Sequence, residues 1–143
     1  MKSKILLCKI FLWSFVSVSC GPEIDSANCH VSVSLINNSN KVIYFGGGNS
    51  SPQISYNPLK SGDYFRIAPK ATKKDIFGRD RGCYEDLFKE SQNGKLNYLF
   101  FDEQVLLNNT WEEIVAKDLV LKRYSFTVEE MQAVNWSIIY DEN

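Results

Sequence analysis

Pairs of neighbouring carboxylates are the side chains in this sequence that could most readily act in catalysis. Two carboxylates held at the right separation across a cleft can hydrolyse a glycosidic bond. Five pairs occur, and four of them precede Asp141-Glu142: Glu85-Asp86, Asp102-Glu103, Glu112-Glu113 and Glu129-Glu130. The competing interpretation is structural, because acidic side chains stabilise helix N-termini and the second pair follows a predicted strand, where a turn is expected. We favour the structural interpretation for all four.

A catalytic or metal site would have to use His30, the only histidine. No Gly-x-Ser-x-Gly elbow accompanies it, and it falls on the polar side of a predicted strand, so we predict a surface histidine. A zinc site is equally poorly supported, because the one histidine and the two cysteines after residue 20 include no pair at the spacing of zinc ligands. We therefore expect no metal, no cofactor and no catalytic residue.

One charged loop could hold a carboxylate, phosphate or sugar. In Gly78-Arg79-Asp80-Arg81-Gly82 two arginines, Arg79 and Arg81, stand between glycines, and guanidinium groups bind such ligands in bidentate fashion. The alternative is a solvated turn in which Asp80 neutralises its neighbours. The triple glycine at 46–48 predicts a mobile loop, since no Gly-Lys-Ser/Thr follows it.

The N-terminus has the parts of an export signal. Lysines at positions 2, 4 and 9 precede an apolar run over 10–18, which is too short for a bilayer that needs about 20 apolar residues. Ser17-Val18-Ser19-Cys20 resembles the bacterial lipobox, in which the cysteine is acylated and becomes the first mature residue. Ser17 stands where leucine is usual, as in the looser sites of Bacteroidetes. The alternative is a plain secretory signal with an incidental cysteine.

Charge argues against nucleic acid as a partner. Removing residues 1–19 leaves 13 basic against 17 acidic residues, so the formal charge moves from −1 to −4. Phosphate binding needs clustered lysine and arginine, whereas Lys73-Lys74 and Lys122-Arg123 are only pairs. The expected partners are the membrane, through the lipid, and a protein or glycan.

Two cysteines remain once the signal is removed and Cys20 carries lipid. In an oxidising envelope Cys29 and Cys83 can form a disulfide. Both could instead be small buried apolar side chains, and the sequence does not decide between these alternatives.

The chain divides into a signal peptide at 1–19, a tether at 20–28 and one domain at 29–143. The domain is long enough for a core of its own. Within the tether, Asp25-Ser26-Ala27 resembles the O-glycosylation signal of Bacteroidetes envelope proteins, which makes Ser26 a candidate acceptor. A plain linker is the alternative reading.

The first half of the domain predicts strands. Val31, Val33 and Leu35 alternate with polar residues, and a turn at 37–40 with a strand at 42–45 predicts an antiparallel hairpin. Further strands are predicted at 53–56 and 64–68, followed by a charged turn at 76–82.

The second half mixes helices and strands. Apolar spacing predicts a helix at 84–91, and 96–101 reads as a central strand covered on both sides. Thr110 and Thr127 each open a capping box, which predicts helices to about residue 117 and after residue 127. Phe126 and Met131 occupy the positions of a hydrophobic staple at the second box. Strands are predicted at 119–124 and 136–140.

The C-terminal segment resembles a known group of proteins. The stretch Lys122-Arg123-Tyr124-Ser125-Phe126-Thr127-Val128-Glu129-Glu130-Met131, followed by Asn135-Trp136-Ser137-Ile138-Ile139-Tyr140, looks like the signature of small uncharacterised Bacteroidetes lipoproteins. The likeness covers 84–140 well and the N-terminal half loosely. The resemblance implies a location in the cell envelope and a compact fold, but it does not indicate an activity.

These observations predict a mainly β fold: a single antiparallel β-sandwich-like domain with about three short helices. The preferred function is a non-enzymatic, lipid-anchored envelope module at the outer membrane that binds a protein or glycan partner. The alternative is a small carboxylate-dependent hydrolase, which would need a pocket containing two carboxylates, one with a raised pKa.

Overall fold

Strands and helices contribute almost equally to the domain. The computed structural model describes residue 26 and residues 28–49, 51–76, 82–91 and 93–142. Its strands are β1 (Ser32–Asn37), β2 (Ile43–Asn49), β3 (Arg66–Ile67), β4 (Thr72–Ile76), β5 (Leu96–Asp102), β6 (Lys122–Phe126) and β7 (Ser137–Tyr140). Its helices are α1 (Tyr84–Glu90), α2 (Glu103–Asn108), α3 (Trp111–Ala116), α4 (Val128–Ala133) and a 3-10 helix, Pro58–Phe65. Strand accounts for about 33% and helix for 31%, so the predicted mainly β class is wrong in its balance.

The strands form two sheets, as predicted for a layered domain. One sheet has the order β4-β1-β7 and the other β3-β2-β5-β6. The four-stranded sheet is antiparallel throughout. In the other sheet β1 is antiparallel to β4 but parallel to β7. The purely antiparallel prediction fails there, because β1 and β7 are connected by the whole chain from 38 to 136 and not by a hairpin turn.

The predicted hairpin between the first two strands is wrong, because Asn37 turns the chain from one sheet into the other. The side-chain amide of this buried residue donates to the backbone carbonyls of Lys41, Ile67 and Ala68 at 2.7, 3.3 and 3.0 Å. Its Oδ1 accepts from the backbone N and the Oγ of Ser39 at 3.0 and 2.6 Å. The predicted turn at 37–40 is present, but its hydrogen bonds stabilise the point where the chain passes from one sheet to the other, and not a hairpin.

Two apolar cores lie on the two faces of the four-stranded sheet. The larger joins both sheets and includes Val33, Leu35, Ile43, Phe45, Tyr98, Phe100, Trp136 and Ile138. The smaller lies under α2 and α3 and contains Tyr44, Leu99, Phe101, Leu106 and Ile114. Alternate residues of β5 enter the two cores, which confirms the prediction of a central strand covered on both sides.

β4 is a strand that the sequence pattern did not predict. It carries Lys73, Lys74 and Asp75 in place of alternating apolar residues, and it forms an edge of its sheet. The predicted strand at 53–56 has no regular secondary structure, whereas β2 extends through the glycines that were predicted to form a loop. Pairing with β1, supplied from a distance along the chain, decides the conformation of β4.

Asp75 places a carboxyl group in the protein interior. The residue is 9% exposed, and the Tyr84 hydroxyl donates to its backbone carbonyl at 3.2 Å. Burial raises the pKa of the Asp75 carboxyl group above its ordinary value, and a hydrogen bond with the Tyr84 side chain opposes that rise. Because the native pKa is raised, the native state loses stability as the pH increases from the ordinary aspartate range through the raised pKa.

α2 is a helix that sequence reasoning missed. Asp102, predicted to form a turn with Glu103, instead caps this helix, and its Oδ1 accepts from the backbone N of Gln104 at 2.8 Å. The apolar residues of α2 are consecutive, at 105–107. Such a short run shows no helical period, so local pattern could not identify the helix.

The predicted capping boxes are confirmed at α3 and α4. Thr110 and Thr127 each accept from the backbone N–H three residues on, and the glutamate at that position accepts from the threonine backbone. The predicted staple pair, Phe126 and Met131, lies in the larger core.

The C-terminal ends of the same two helices are fixed by Schellman motifs. Asn135 adopts a left-handed φ of 50°, and the backbone N of Trp136 donates to the carbonyl of Met131 at 2.9 Å. After α3, Asp118 has φ 54° and Leu119 makes the equivalent bond at 3.0 Å. Each six-residue helix therefore sets the direction of the chain entering the next strand.

Candidate functional site

A disulfide between Cys29 and Cys83 joins the start of β1 to the start of α1. The two Cα atoms lie 5.0 Å apart, although 54 positions separate them in sequence. Beside the bond, the backbone N of Tyr84 donates to the carbonyl of His30 at 2.8 Å. Of the two alternatives that the sequence left open for this pair, the structure contains the disulfide. It brings His30 next to the first turn of α1.

His30 is held at its edge by Glu85 and on its face by Trp136. Nδ1 of the imidazole lies 2.6 Å from Glu85 Oε1, and the His30 backbone N donates to Oε2 at 2.9 Å. The indole stacks on the imidazole with ring centroids 4.2 Å apart and an interplanar angle of 16°. His30 was predicted to be a surface histidine; its side chain is only partly exposed, at 19%, and is engaged by both neighbours.

The Glu85 carboxylate is stabilised in its charged form. Burial alone would raise the pKa of Glu85, but hydrogen bonds from the ring and backbone of His30 outweigh burial, and the pKa lies below its ordinary value. An ionised carboxylate only accepts hydrogen bonds, so His30 Nδ1 is the donor. Catalytic triads orient their histidine in this way. They also need a nucleophile, and among the described residues no hydroxyl or thiol forms a hydrogen bond with the imidazole.

Replacing Glu85 by glutamine is expected to lower the free energy of unfolding by about 1 kcal/mol at neutral pH. Glutamine keeps an acceptor oxygen for one of the two bonds but lacks the charge that strengthens both. Because the native pKa of Glu85 is lowered, the wild-type advantage is present above the ordinary glutamate pKa and is lost as the pH falls through the native pKa. Urea unfolding at neutral pH and at about pH 3 measures this change.

Asp86→Asn is the matched control for the Glu85 variant. Asp86 is the neighbouring carboxylate, and it forms an exposed ion pair with Lys89 at 2.9 Å. Exposed pairs contribute little to stability, so the unfolding midpoint should move less than in Glu85→Gln. A deficit of Glu85→Gln that is equally large in acid would contradict the assigned role of the carboxylate charge.

A cleft of about 550 Å³ lies beside the His30 cluster, between α1 and α4. Its lining combines amide, charged and apolar side chains: Asn28, Asn93 and Gln132; Glu85, Lys89 and Glu129; Phe88 and Val128. Ligand sites combine apolar contact surface with a few polar groups in the same way. The cleft can therefore supply both hydrogen bonds and apolar contact to an occupant.

The first four carboxylate pairs share one location, the N-terminus of an α-helix. Glu85-Asp86, Glu112-Glu113 and Glu129-Glu130 lie in the first turns of α1, α3 and α4. The pair at 102–103 provides the cap and first residue of α2. The predicted helix-start positions are confirmed for the pairs of α1, α3 and α4, whereas the pair at 102–103 starts a helix in place of the predicted turn.

Several predicted site residues lie outside the described part of the chain. These are Cys20 with the signal peptide, and Arg79 and Arg81 of the charged loop. Ser26 is described and exposed, and its backbone N donates to the Cys29 carbonyl at 2.9 Å. Lipidation, glycosylation and ligand binding at these positions stay predictions.

Comparison with known proteins adds no assignment to this geometry. No family model, curated protein or solved structure matches the chain. In the described ranges, no three histidine, cysteine, aspartate or glutamate side chains are grouped so that they could bind a metal ion. None of the described helices combines the length and apolar character needed to cross a bilayer. The resemblance to envelope lipoproteins stays a prediction.

The stacking of His30 on Trp136 is the part of the site that sequence reasoning missed. Trp136, Ile138 and Tyr140 are alternate positions of the predicted strand at 136–140, and all three are buried. However, 106 positions separate the imidazole from the indole, and no local signal marks a contact of that range. The only available signal was Cys29, whose pairing with Cys83 brings the neighbouring residue onto α1.

Proposed function

We propose that this protein is a non-enzymatic, lipid-anchored module of the bacterial cell envelope, located at the outer membrane, that binds a protein or glycan partner in the cleft between α1 and α4. The proposal is based on the residues that line the cleft. Amide donors and acceptors from Asn28, Asn93 and Gln132 surround the apolar Phe88 and Val128. That combination suits a partner with both hydrogen-bonding groups and apolar surface.

Charge supports a neutral or cationic partner. Glu85 and Glu129 line the cleft, and its one cationic side chain among the described residues, Lys89, already binds Asp86. The formal charge of −4 for residues 20–143 acts in the same direction. An anionic partner such as nucleic acid would find no cluster of free cations there.

The pKa values of the cleft carboxylates count against the hydrolase alternative. Glycoside hydrolysis needs a general acid with a raised pKa. Hydrogen bonds from His30 outweigh burial to lower the pKa of Glu85. Backbone and Thr127 hydrogen bonds lower the pKa of Glu129. Both side chains are therefore charged acceptors at neutral pH, which suits binding and not acid catalysis.

The predicted anchor would keep the cleft close to the bilayer. Asn28 lines the cleft and is eight positions after Cys20. Even a fully extended segment of that length spans no more than about 29 Å. A lipid on Cys20 would thus hold the cleft within that distance of the membrane surface, where envelope partners are concentrated.

Site-specific photo-crosslinking in cells tests this function. A photoreactive residue placed at Gln132 in the full chain is expected to capture a partner molecule. The same residue at Leu107, which is 61% exposed on α2, is the control and should capture little. Cys20→Ala should move the protein from the membrane pellet to the soluble fraction and reduce capture at Gln132.

Two results would each overturn one part of the proposal, either binding in the cleft or the lipid anchor. Equal capture from Gln132 and Leu107 would show that the cleft has no preferred role in binding. An unchanged membrane fraction for Cys20→Ala would remove the lipid anchor, whatever the crosslinks show.

A further inference from the structure

Two exposed tyrosines lie together outside the cleft. Tyr56 is 42% exposed and Tyr64 is 52% exposed. Both rings contact Phe65, the last residue of the 3-10 helix, and we refer to these three side chains as the tyrosine platform. It is built on the segment between β2 and β3, which contributes no residue named in the lining of the cleft.

The platform is fixed from below by Phe65. The Phe65 ring meets Tyr56 edge-to-face with centroids 5.6 Å apart and meets Tyr64 with centroids 4.7 Å apart. Phe65 itself packs against both apolar cores and lies edge-to-face on Phe45 at 5.0 Å. The exposed rings are therefore positioned by the core, and little of their surface is needed to maintain the fold.

Hydrogen bonds hold the segment that carries the rings. The Tyr56 hydroxyl is bonded to Ser61 Oγ, and the Asn57 side chain caps the 3-10 helix by accepting from Leu59 N at 3.0 Å. A ring held in this way loses little conformational entropy when a ligand stacks on it. The hydroxyls of Tyr56 and Ser61 also lie where they can bond to polar groups at a ligand's edge.

Two cations near the platform, Lys73 and Arg66, are already engaged by other groups. Lys73 Nζ lies 6.0 Å from the centroid of the Tyr64 ring and donates to the Arg66 carbonyl at 3.1 Å. Arg66 Nε donates to Glu103 Oε1 at 3.0 Å. A phosphate or sulfate group would have to break these contacts before it could bind there.

We propose that the tyrosine platform binds a neutral glycan by stacking. A pyranose ring presents aliphatic C–H groups that match the electron-rich face of an aromatic ring, and its hydroxyls can bond to those of Tyr56 and Ser61. The exposed surface of the two tyrosine residues amounts to about 200 Å², whereas a stable protein interface covers about 800 Å² on each partner. The small area favours a sugar over a protein.

This inference rests on the proposed function as a binding module, and it names the ligand class at a second site. Both tyrosines are about half exposed, so their removal should lower the thermal unfolding temperature only slightly. Tyr56 and Tyr64 can therefore be tested by substitution without loss of the fold, and the cleft can be tested separately through Gln132.

Binding to defined oligosaccharides tests the platform. The full chain, purified from membranes in detergent, is applied to immobilised maltohexaose, cellohexaose, mannohexaose and, as a polyanion, heparin. We expect binding to at least one neutral glycan, and a loss of at least about tenfold in affinity for Tyr64→Ala and Tyr56→Ala. Tyr64→Phe should retain most of the affinity, and the exposed-residue control Leu107→Ala should retain all of it.

Three outcomes would overturn the inference. These are no binding to any neutral glycan, strongest binding to heparin, and neutral-glycan binding that Gln132→Ala abolishes while both tyrosine variants retain it. The last outcome would leave the cleft, and with it the proposed function, in place. If the crosslinking at Gln132 fails but glycan binding depends on the tyrosines, the proposed function of the cleft is overturned and the inference about the tyrosine platform stands.

Discussion

Replacing Cys29 and Cys83 together by serine is expected to lower the free energy of unfolding by about 4 kcal/mol. The bond closes a loop across 54 positions, and a closed loop of that length removes a large part of the conformational freedom of the unfolded chain. For a domain whose total stability is about 5–15 kcal/mol, such a loss is a substantial fraction. Urea unfolding monitored by tryptophan fluorescence, with and without reductant, measures it.

The double variant is the useful one, because a single replacement leaves a thiol that can pair between molecules. Reductant should destabilise the wild type and leave the double variant unchanged. Trp136 stacks on His30, the neighbour of Cys29, so its emission should also respond when the bond is lost. Equal stability of wild type and double variant under oxidising conditions would contradict the role assigned to the disulfide.

Asn37→Ala is expected to destabilise the fold by about 3 kcal/mol. The side chain makes five hydrogen bonds at the corner between the sheets, and three of its acceptors are backbone carbonyls. Alanine would leave several buried polar groups without partners, and each such group costs about 1–3 kcal/mol. The shift in urea midpoint at constant slope measures the loss.

Asn38→Ala is the matched control, since Asn38 is the next residue and is exposed. Its replacement should leave the midpoint nearly unchanged. Asn37→Asp keeps the acceptor for Ser39 but removes the amide donors, so it should be nearly as unstable as Asn37→Ala. Similar small effects at positions 37 and 38 would contradict the view that this side chain holds the corner.

The parts of the fold that were predicted correctly depend on residues close together in sequence. Each capping box needs only a threonine and a glutamate three positions apart, so Thr110 and Thr127 marked two helix starts without information from elsewhere. Strand β5 was recognisable because both of its faces are apolar.

The pairing of strands could not be predicted, because it depends on contacts across the whole chain. The turn at Asn37 looks like a hairpin locally, but its amide bonds to carbonyls about 30 positions away. β4 has the composition of a solvated segment and becomes a strand because β1 is available for pairing. The parallel contact of β1 with β7 joins opposite ends of the domain.

The candidate site was predictable in its chemistry but not in its assembly. The pattern correctly assigned the carboxylate pairs of α1, α3 and α4 to helix starts, and it offered the disulfide as one of two alternatives. It could not place Glu85 at the edge of His30, because that contact depends on the disulfide and the packing of α1. The cleft is likewise formed by two helices more than 35 positions apart.

The interior carboxyl of Asp75 has a consequence for self-association. β4 is an outer strand of its sheet, and outer strands are where β proteins add foreign strands and begin to aggregate. β4 carries Lys73 and Lys74 along this edge and turns Asp75 inward, and charged residues placed in these ways make the addition of a foreign strand costly. The buried carboxyl group therefore helps to prevent the edge of the sheet from pairing with a second molecule.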